Sequence, residues 1–222
     1  MNVPADNCPI YNPPLEPYVS VIHRDEDLLV LDKPSGLLSV PARHPALKDS
    51  LASRVQEDYP NAQMINRLDK DTSGLVLMSL NRMAHARIAA QFEARTVQKL
   101  YTAVVWGNIA EDQGSIDLPL SIDPENKPRH RVDMVGGKAA QTNWHVVERL
   151  GERTRVKLLP LTGRTHQLRV HMKAIGHVIL GDEFYADGEA LNAASRLLLH
   201  AETLTFCHPD GNDVTFTAPC PF

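Results

Sequence analysis

Asn66-Arg67-Leu68-Asp69-Lys70-Asp71-Thr72-Ser73-Gly74 is the stretch of this 222-residue chain in which reactive side chains crowd closest together. An ionised carboxylate such as Asp69 or Asp71 can serve as a nucleophile or a base. The same residues suit a tight turn, with an Asp accepting from backbone N–H groups and Gly74 supplying a permissive φ. A third use is a carboxylate pair astride one bond, as in a hydrolase of nucleosides or glycosides. Here the two carboxylates are expected to point apart, which is poor geometry for a shared bond. A second cluster lies in residues 163–171, with Arg164, His166, Arg169 and His171. On a helix, His166, Arg169 and Lys173 fall at i, i+3 and i+7, on a face distinct from Leu168, Met172 and Ile175. No metal is expected there: His166, His171 and His177 are spaced by five and six, matching neither HExxH nor a Cys/His finger. No GxxxxGK[ST] or GxGxxG segment offers a nucleotide site.

Strands dominate the elements that must position these clusters. Residues 18–22 and 28–31 are apolar runs around the charged turn 23–27, the pattern of a hairpin. A helix is expected over 48–59, closed by Pro60, and a buried strand over 74–80. Asn81 is placed to cap a helix running through Met83, Ile88 and Phe92. Further strands are expected at 99–106, 142–149 and 153–159, the last two as a hairpin, then at 197–206 and 214–217. Residues 165–175 read as a short helix closed by Gly176. Strands and helices do not alternate regularly, so the fold class is α+β with a mostly antiparallel or mixed sheet flanked by helices and loops. Residues 1–17, with five prolines, read as an extended arm, and residues 18–222 as one catalytic domain.

Composition narrows the functional classes. Hydrophobic content of 43% with no run of eighteen apolar residues describes a globular chain and excludes a membrane-spanning helix. Cys8, Cys207 and Cys220 form no CxxC pair and leave an odd thiol, which fits a reducing cytoplasm. Net charge is −4, yet the charge is unevenly spread. Residues 1–27 hold five acids and one base, and residues 182–222 seven acids and one base. Residues 153–181 hold six Lys or Arg, three His and no acid. A local basic surface can attract phosphates whatever the overall sign; solvated strand and helix faces are the plainer reading.

The order of these motifs resembles the RluA-type pseudouridine synthases. Arg67-Leu68-Asp69 followed by Thr72-Ser73-Gly74 resembles that family's active-site signature. Lys33-Pro34-Ser35-Gly36-Leu37 and Lys99-Leu100-Tyr101 resemble two further motifs, as does Gly163-Arg164-Thr165-His166-Gln167-Leu168-Arg169-Val170-His171. Gly181-Asp182 with Tyr185, and Leu197-Leu198-Leu199-His200-Ala201, resemble the later ones. Asn66 departs from the pattern, since the family usually has His before Arg-Leu-Asp. The compact members, which lack an S4-type RNA-binding module, begin with the Tyr-Asn-Pro-Pro found here at 11–14. Seventeen residues are too few for such a module.

The resemblance implies conversion of uridine to pseudouridine in folded RNA, without cofactor or metal. Asp69 would be the catalytic carboxylate, Tyr101 would lie against the target base, and Arg169 would hold Asp69. Arg67, Asn66, Lys127, Arg129, Arg131, Arg164 and His166 would contact RNA, with Arg67 filling the space left by a flipped nucleotide. Loop uridines are the expected targets, in 23S rRNA, the tRNA anticodon stem-loop, or both. A cytoplasmic monomer with no obligate protein partner is expected. A non-catalytic RNA binder on the same fold is the competing reading, with Asn66 as its one support.

Overall fold

The run Leu28-Leu29-Val30-Leu31 is apolar on both faces, which a strand satisfies only in the middle of a covered sheet. In the computed structural model, which describes residues 11–222, that strand is fully buried. In chain order the elements are β1 (Val21–Arg24), β2 (Leu28–Lys33), α1 (Leu51–Asp58), β3 (Gln63–Met64), β4 (Ser73–Ser79) and α2 (Arg82–Ala94). There follow β5 (Gln98–Trp106), β6 (Gln113–Asp117), β7 (Leu120–Ile122), β8 (His130–Val132), β9 (Gln141–Arg149) and β10 (Arg153–Pro160). The chain closes with α3 (Gln167–Ala174), α4 (Gly188–Asn192), β11 (Leu199–Cys207) and β12 (Asp213–Thr217).

Ten strands make one sheet in the order β1-β2-β4-β11-β5-β10-β9-β6, with β3 added on β4 and β12 on β11; β7 and β8 form a separate hairpin. Its ladders are antiparallel except β4 with β11, which run parallel in the middle of the sheet. The fold is the expected α+β class with a mixed sheet. Leu29, Leu31, Val76 and Met78 pack with Leu51 and Val55 of α1 on one face, while Leu28, Val30, Leu75 and Leu77 pack with Ile88 of α2 on the other. Tyr101 touches both the α1 core and the core containing Leu168 and Met172 of α3. The cleft therefore opens on the α1/α3 face.

Three expectations change. The first strand begins at Val21, with a register shift by His23; Tyr18 lies outside it, with its hydroxyl on Glu57. Residues 107–140 carry β6, β7 and β8, which were too short and polar to show a period; in β6 only Ile116 is buried. α3 starts at Gln167, and both its faces are covered: residues 167–172 are all buried, Arg169 and His171 included. Residues 1–10 of the Pro-rich arm lie outside the described residues. Of the remainder, the Tyr11 hydroxyl accepts from Leu38 N–H (2.9 Å) and donates to the Asp49 carbonyl (3.0 Å). The caps of α1 and α2 are side chains of Ser50 and Asn81, the latter as expected.

Candidate active site

Asp69 lies on the loop between β3 and β4, and a second loop, residues 33–39, splints it. The buried Lys33 ammonium donates to the carbonyls of Pro34 (2.9 Å), Leu37 (2.7 Å) and Lys70 (2.8 Å). Three donors on one small cation match three carbonyls. Burial pushes the Lys33 pKa down to about 7, against the pull of the Asp71 and Asp69 carboxylates. Gly36 N–H donates to the same Lys70 carbonyl (2.9 Å), and Ser35 Oγ donates to the Asp71 carbonyl (2.7 Å). Ser39 Oγ donates to the Leu68 carbonyl (2.7 Å) and accepts from Leu68 N–H (3.1 Å).

The downstream end is fixed to β11. Gly74 has φ +110, and a Cβ there would meet the Ala201 carbonyl oxygen at 2.2 Å, so only glycine allows the parallel pairing. Ser73 Oγ accepts from Arg196 Nη2 (2.6 Å). Its own proton then goes to His200 Nδ1 (2.9 Å), whose Nε2–H donates to the Ala218 carbonyl (3.1 Å).

So held, Asp69 lines a cleft of about 900 Å³ together with Arg67, Lys99, Tyr101, Arg164, His166 and Arg169. Arg169 Nη1 donates to Asp69 Oδ2 at 3.2 Å. Its Nε and Nη2 donate to Asp182 Oδ2 (2.8 Å) and Oδ1 (2.7 Å). Burial opposes the guanidinium charge, and the Asp182 and Asp69 carboxylates outweigh it, so the Arg169 pKa rises. Burial, then the Asp69 charge, raises the Tyr101 pKa, which makes a phenol with its proton in place the resting form. Arg67 is exposed at the cleft.

His166 caps α3 in the left-handed region (φ 56), a costly conformation for a residue with a Cβ. Its Nδ1 lies 2.7 Å from Tyr185 Oη, which accepts from His130 N–H (2.7 Å). The Tyr185 proton is thus available for Nδ1, which leaves the His166 proton on Nε2, 3.8 Å from Asp69 Oδ2. Burial pushes the His166 pKa down to about 4, with Asp69 opposing and Arg169 adding to the shift.

The other residues singled out by sequence are placed differently. Asp71 lines a second cavity, with Asp32, Ser73, Arg196 and His200, while Asp69 faces the cleft. A regular strand would put residues two apart on one face; the turn closed by Thr72 N–H on the Asp69 carbonyl (3.2 Å) separates them. The Asn66 amide oxygen accepts from Leu77 N–H (2.7 Å) and its nitrogen donates to the Leu75 carbonyl (3.4 Å), so it braces β4 and does not line the cleft. Lys127, Arg129 and Arg131 are exposed on the β7–β8 hairpin, whose His130 ring stands 5.4 Å from that of His166. They flank the cleft without lining it.

Residues 153–181 do not make one basic face. Arg153, Arg155 and Lys157 pair in register with Trp106, Val104 and Thr102, so they lie on the sheet face opposite Tyr101. Lys157 is bonded to Glu202 there, and Arg155 to the Phe222 carbonyl. Lys33 and Asp182 also belong to the site, and although both stand in the motifs named above, neither residue type shows its role in sequence. No group of three or more His, Cys, Asp or Glu side chains among the described residues is placed to hold a metal ion.

A carboxylate–guanidinium pair under an open cleft, with cations at its lip, suits catalysis on a polyanionic substrate. A family model described as RNA pseudouridylate synthase matches residues 27–174. Proteins named dual-specificity RNA pseudouridine synthase RluA, from Salmonella typhi and from Escherichia coli (strain K12), are each 50% identical over 214 residues. The match covers 96% of this chain and 98% of each relative. The solved structure of human RNA pseudouridylate synthase domain containing 1 superposes with a TM-score of 0.78 at 29% identity, covering 92% of this chain and 84% of that one. The chain belongs to the RNA pseudouridylate synthase family. It is an isomerase that turns uridine in RNA into pseudouridine.

Proposed function

We propose that Asp69 is the catalytic carboxylate and that the substrates are loop uridines of two RNA classes, a 23S rRNA loop and a tRNA anticodon stem-loop. The contact of Asp69 with Arg169 at 3.2 Å, in a cleft shared with Tyr101, is the observation that carries this reading. The name of the bacterial relatives, dual-specificity, supports two substrate classes at 50% identity. The reaction breaks the C1′–N1 bond, turns the uracil and joins C5 to C1′. C5 loses a proton and N1 gains one, so atoms and electrons balance without a cofactor. The Asp69 carboxylate can attack C1′, remove a sugar proton or add to the base.

The reactive bond is enclosed by a base stack, so the nucleotide must leave it, at a cost of a few kcal/mol. Arg67, exposed beside Asp69, fills the vacated position. The Tyr101 ring stacks the uracil, and its hydroxyl takes the C5 proton as it passes its own to the Asp69 carboxylate, the charge it feels most. Arg164, Lys127, Arg129 and Arg131 meet phosphates, and His166 offers Nε2–H to the bound nucleotide. One chain holds every group named, so a monomer suffices, and an RNA substrate suits a cytoplasmic protein.

Tritium release from [5-³H]uridine-labelled rRNA and tRNA stem-loops tests the reading. Release from both with intact chains is expected. Release from one RNA alone removes the dual assignment, and free uracil or no release removes the isomerase.

A further inference from the structure

The second cavity, of about 620 Å³, lies behind the loop that carries Asp69, on the sheet face away from the cleft. Asp32 follows Val30 and Ser73 precedes Leu75 on that face, where Val30 and Leu75 pack with Ile88 of α2. Two groups of opposite charge line the cavity without meeting. Half-buried Arg196 donates from Nε to the Leu197 carbonyl (3.2 Å) and from Nη2 to Ser73 Oγ (2.6 Å). Its guanidinium also stands over the Phe222 ring, 5.6 Å from the centroid. These contacts hold it in place, and no carboxylate among the described residues comes within 4.0 Å of it. Asp32 is fixed by the pairing of β2 with Leu75, and its half-buried carboxylate meets no donor among the described residues. Burial accordingly pushes the Asp32 pKa up and the Arg196 pKa down, as for charges drawn from water without compensation. The Lys33 and His200 nitrogens are already bonded, and Asp71 has Lys70 Nζ at 3.3 Å. Leu191, Leu197, Pro219 and Pro221 add an apolar wall.

We propose that this cavity binds a free α-amino acid, its carboxylate on Arg196 Nη1, its ammonium on Asp32 and its side chain against the apolar wall. A plain amine satisfies Asp32 and leaves Arg196 without a counter-ion; an organic acid does the reverse. A dipolar ligand serves both. Each contact is a charge-assisted hydrogen bond, stronger in a partly dry cavity than in water. Asp71 and Glu183, the other acids of the lining, favour the ammonium end. Burial against Leu191 and the two prolines favours an aliphatic side chain over glycine. The occupant lies against Asp71 and Ser73, on the far side of the loop from the chemistry. The site does not depend on the role given to Asp69.

Calorimetric titration of the full chain with glycine, leucine, isopentylamine and isocaproate tests this, the last two being leucine without its carboxylate and without its ammonium. Leucine should bind saturably, one per chain, with Kd of about 1 mM or below, and glycine more weakly. Isopentylamine and isocaproate should each bind at least about tenfold more weakly than leucine, because each meets only one of the two charges. Asp32→Asn, almost isosteric, should weaken leucine at least about tenfold. Amide shifts in ¹H–¹⁵N spectra of the wild type on adding leucine should concentrate at residues 32–36, 71–73 and 194–197. Should Asp32→Asn fail to fold, those shifts and the two truncated ligands decide. No saturable binding of either amino acid overturns the proposal. So does isopentylamine or isocaproate binding as tightly as leucine, which would make this a site for one charge only. Full leucine affinity in Asp32→Asn, or shifts centred on residues 163–169, would place the amino acid in the catalytic cleft and overturn it equally.

Discussion

Asp69, Tyr101 and Arg169 line one cleft, with Arg169 Nη1 on the Asp69 carboxylate at 3.2 Å. Asp69→Asn is almost isosteric, so we expect turnover to vanish while folding and RNA affinity stay close to wild type. Tritium release and filter binding on one preparation check this, and appreciable isomerisation would remove the assignment. Tyr101→Phe keeps the stacking ring and loses a hydroxyl whose pKa is pushed up by burial and by Asp69. RNA binding should persist. If the hydroxyl takes the C5 proton, turnover collapses, while equal rates leave Tyr101 as a stacking surface. Arg169→Lys keeps the charge and loses the fork, and an ammonium cannot span Asp182 and Asp69 in the same geometry. Turnover should fall at least about tenfold, or about 1.4 kcal/mol of barrier. An unchanged single-turnover rate would mean that the fork does not act on Asp69. Helical spacing puts Arg169 on a cationic face; the structure buries it, because a carboxylate thirteen residues downstream neutralises it there.

The motifs that surround those three residues do most of their work as elements that hold a loop. Lys33, Ser35, Gly36 and Ser39 bond the backbone of residues 68–71 from one side, and β11 holds Ser73 and Gly74 from the other. Strands with long apolar runs and the helix capped by Asn81 were readable in the sequence, whereas the Ser50 cap of α1 was not. The splint was not, since a Lys bonded to three carbonyls leaves no period and looks like surface charge. Lys33→Met should leave the Pro34 and Leu37 carbonyls without their donor and the Lys70 carbonyl with Gly36 N–H alone, costing about 2 kcal/mol in urea unfolding and lowering kcat with little change in RNA affinity. Unchanged stability would show that the staple contributes nothing net. The N-terminus of α3 gives a pH test. His166 has a folded pKa of about 4, against about 6.5 when unfolded, and it faces Asp69, Arg169, Asp182 and His130. Between those values the unfolded chain binds a proton that the folded chain does not, so stability present above pH 6.5 is lost as pH falls toward 4. That amounts to about 2 kcal/mol between pH 7 and pH 5. His166→Gln should flatten this part of the acid-side loss in urea titrations at the two pH values. An equal drop in variant and wild type would assign it to other groups, such as the buried His171 and His200, whose pKa values burial also lowers.

At the scale of the whole molecule the question is how a chain of net charge −4 holds a polyanion. Linear charge segregation pointed to residues 153–181, and the sheet divides that segment between its two faces. Alternation along β10 sends Arg153, Arg155 and Lys157 away from the cleft, whereas the turn into α3 sends Arg164, His166 and Arg169 toward it. Which side of a sheet a strand residue faces depends on its partners, and β5 and β9 are assembled from distant sequence. The exposed cations at the cleft include Arg67 and Lys70, which line it, and Lys127, Arg129, Arg131 and Lys138 on or just after the β7–β8 hairpin. A loop substrate making roughly three to six phosphate contacts should give a log–log salt slope of about −2 to −5. Replacing Arg129 and Arg131 together by Ala should weaken stem-loops of different sequence by similar factors, because phosphate contacts position without specifying. Arg153→Ala, on the far face, serves as the control and should bind as wild type. Arg67→Ala should lower single-turnover rate more than affinity, since it acts on the flipped state. Filter binding across a salt series, run beside single-turnover tritium release, separates these responses. A flat salt dependence would mean that these cations do not contact phosphates, and a loss of affinity in Arg153→Ala that matches the Arg129/Arg131 double variant would put the RNA on the other face of the sheet.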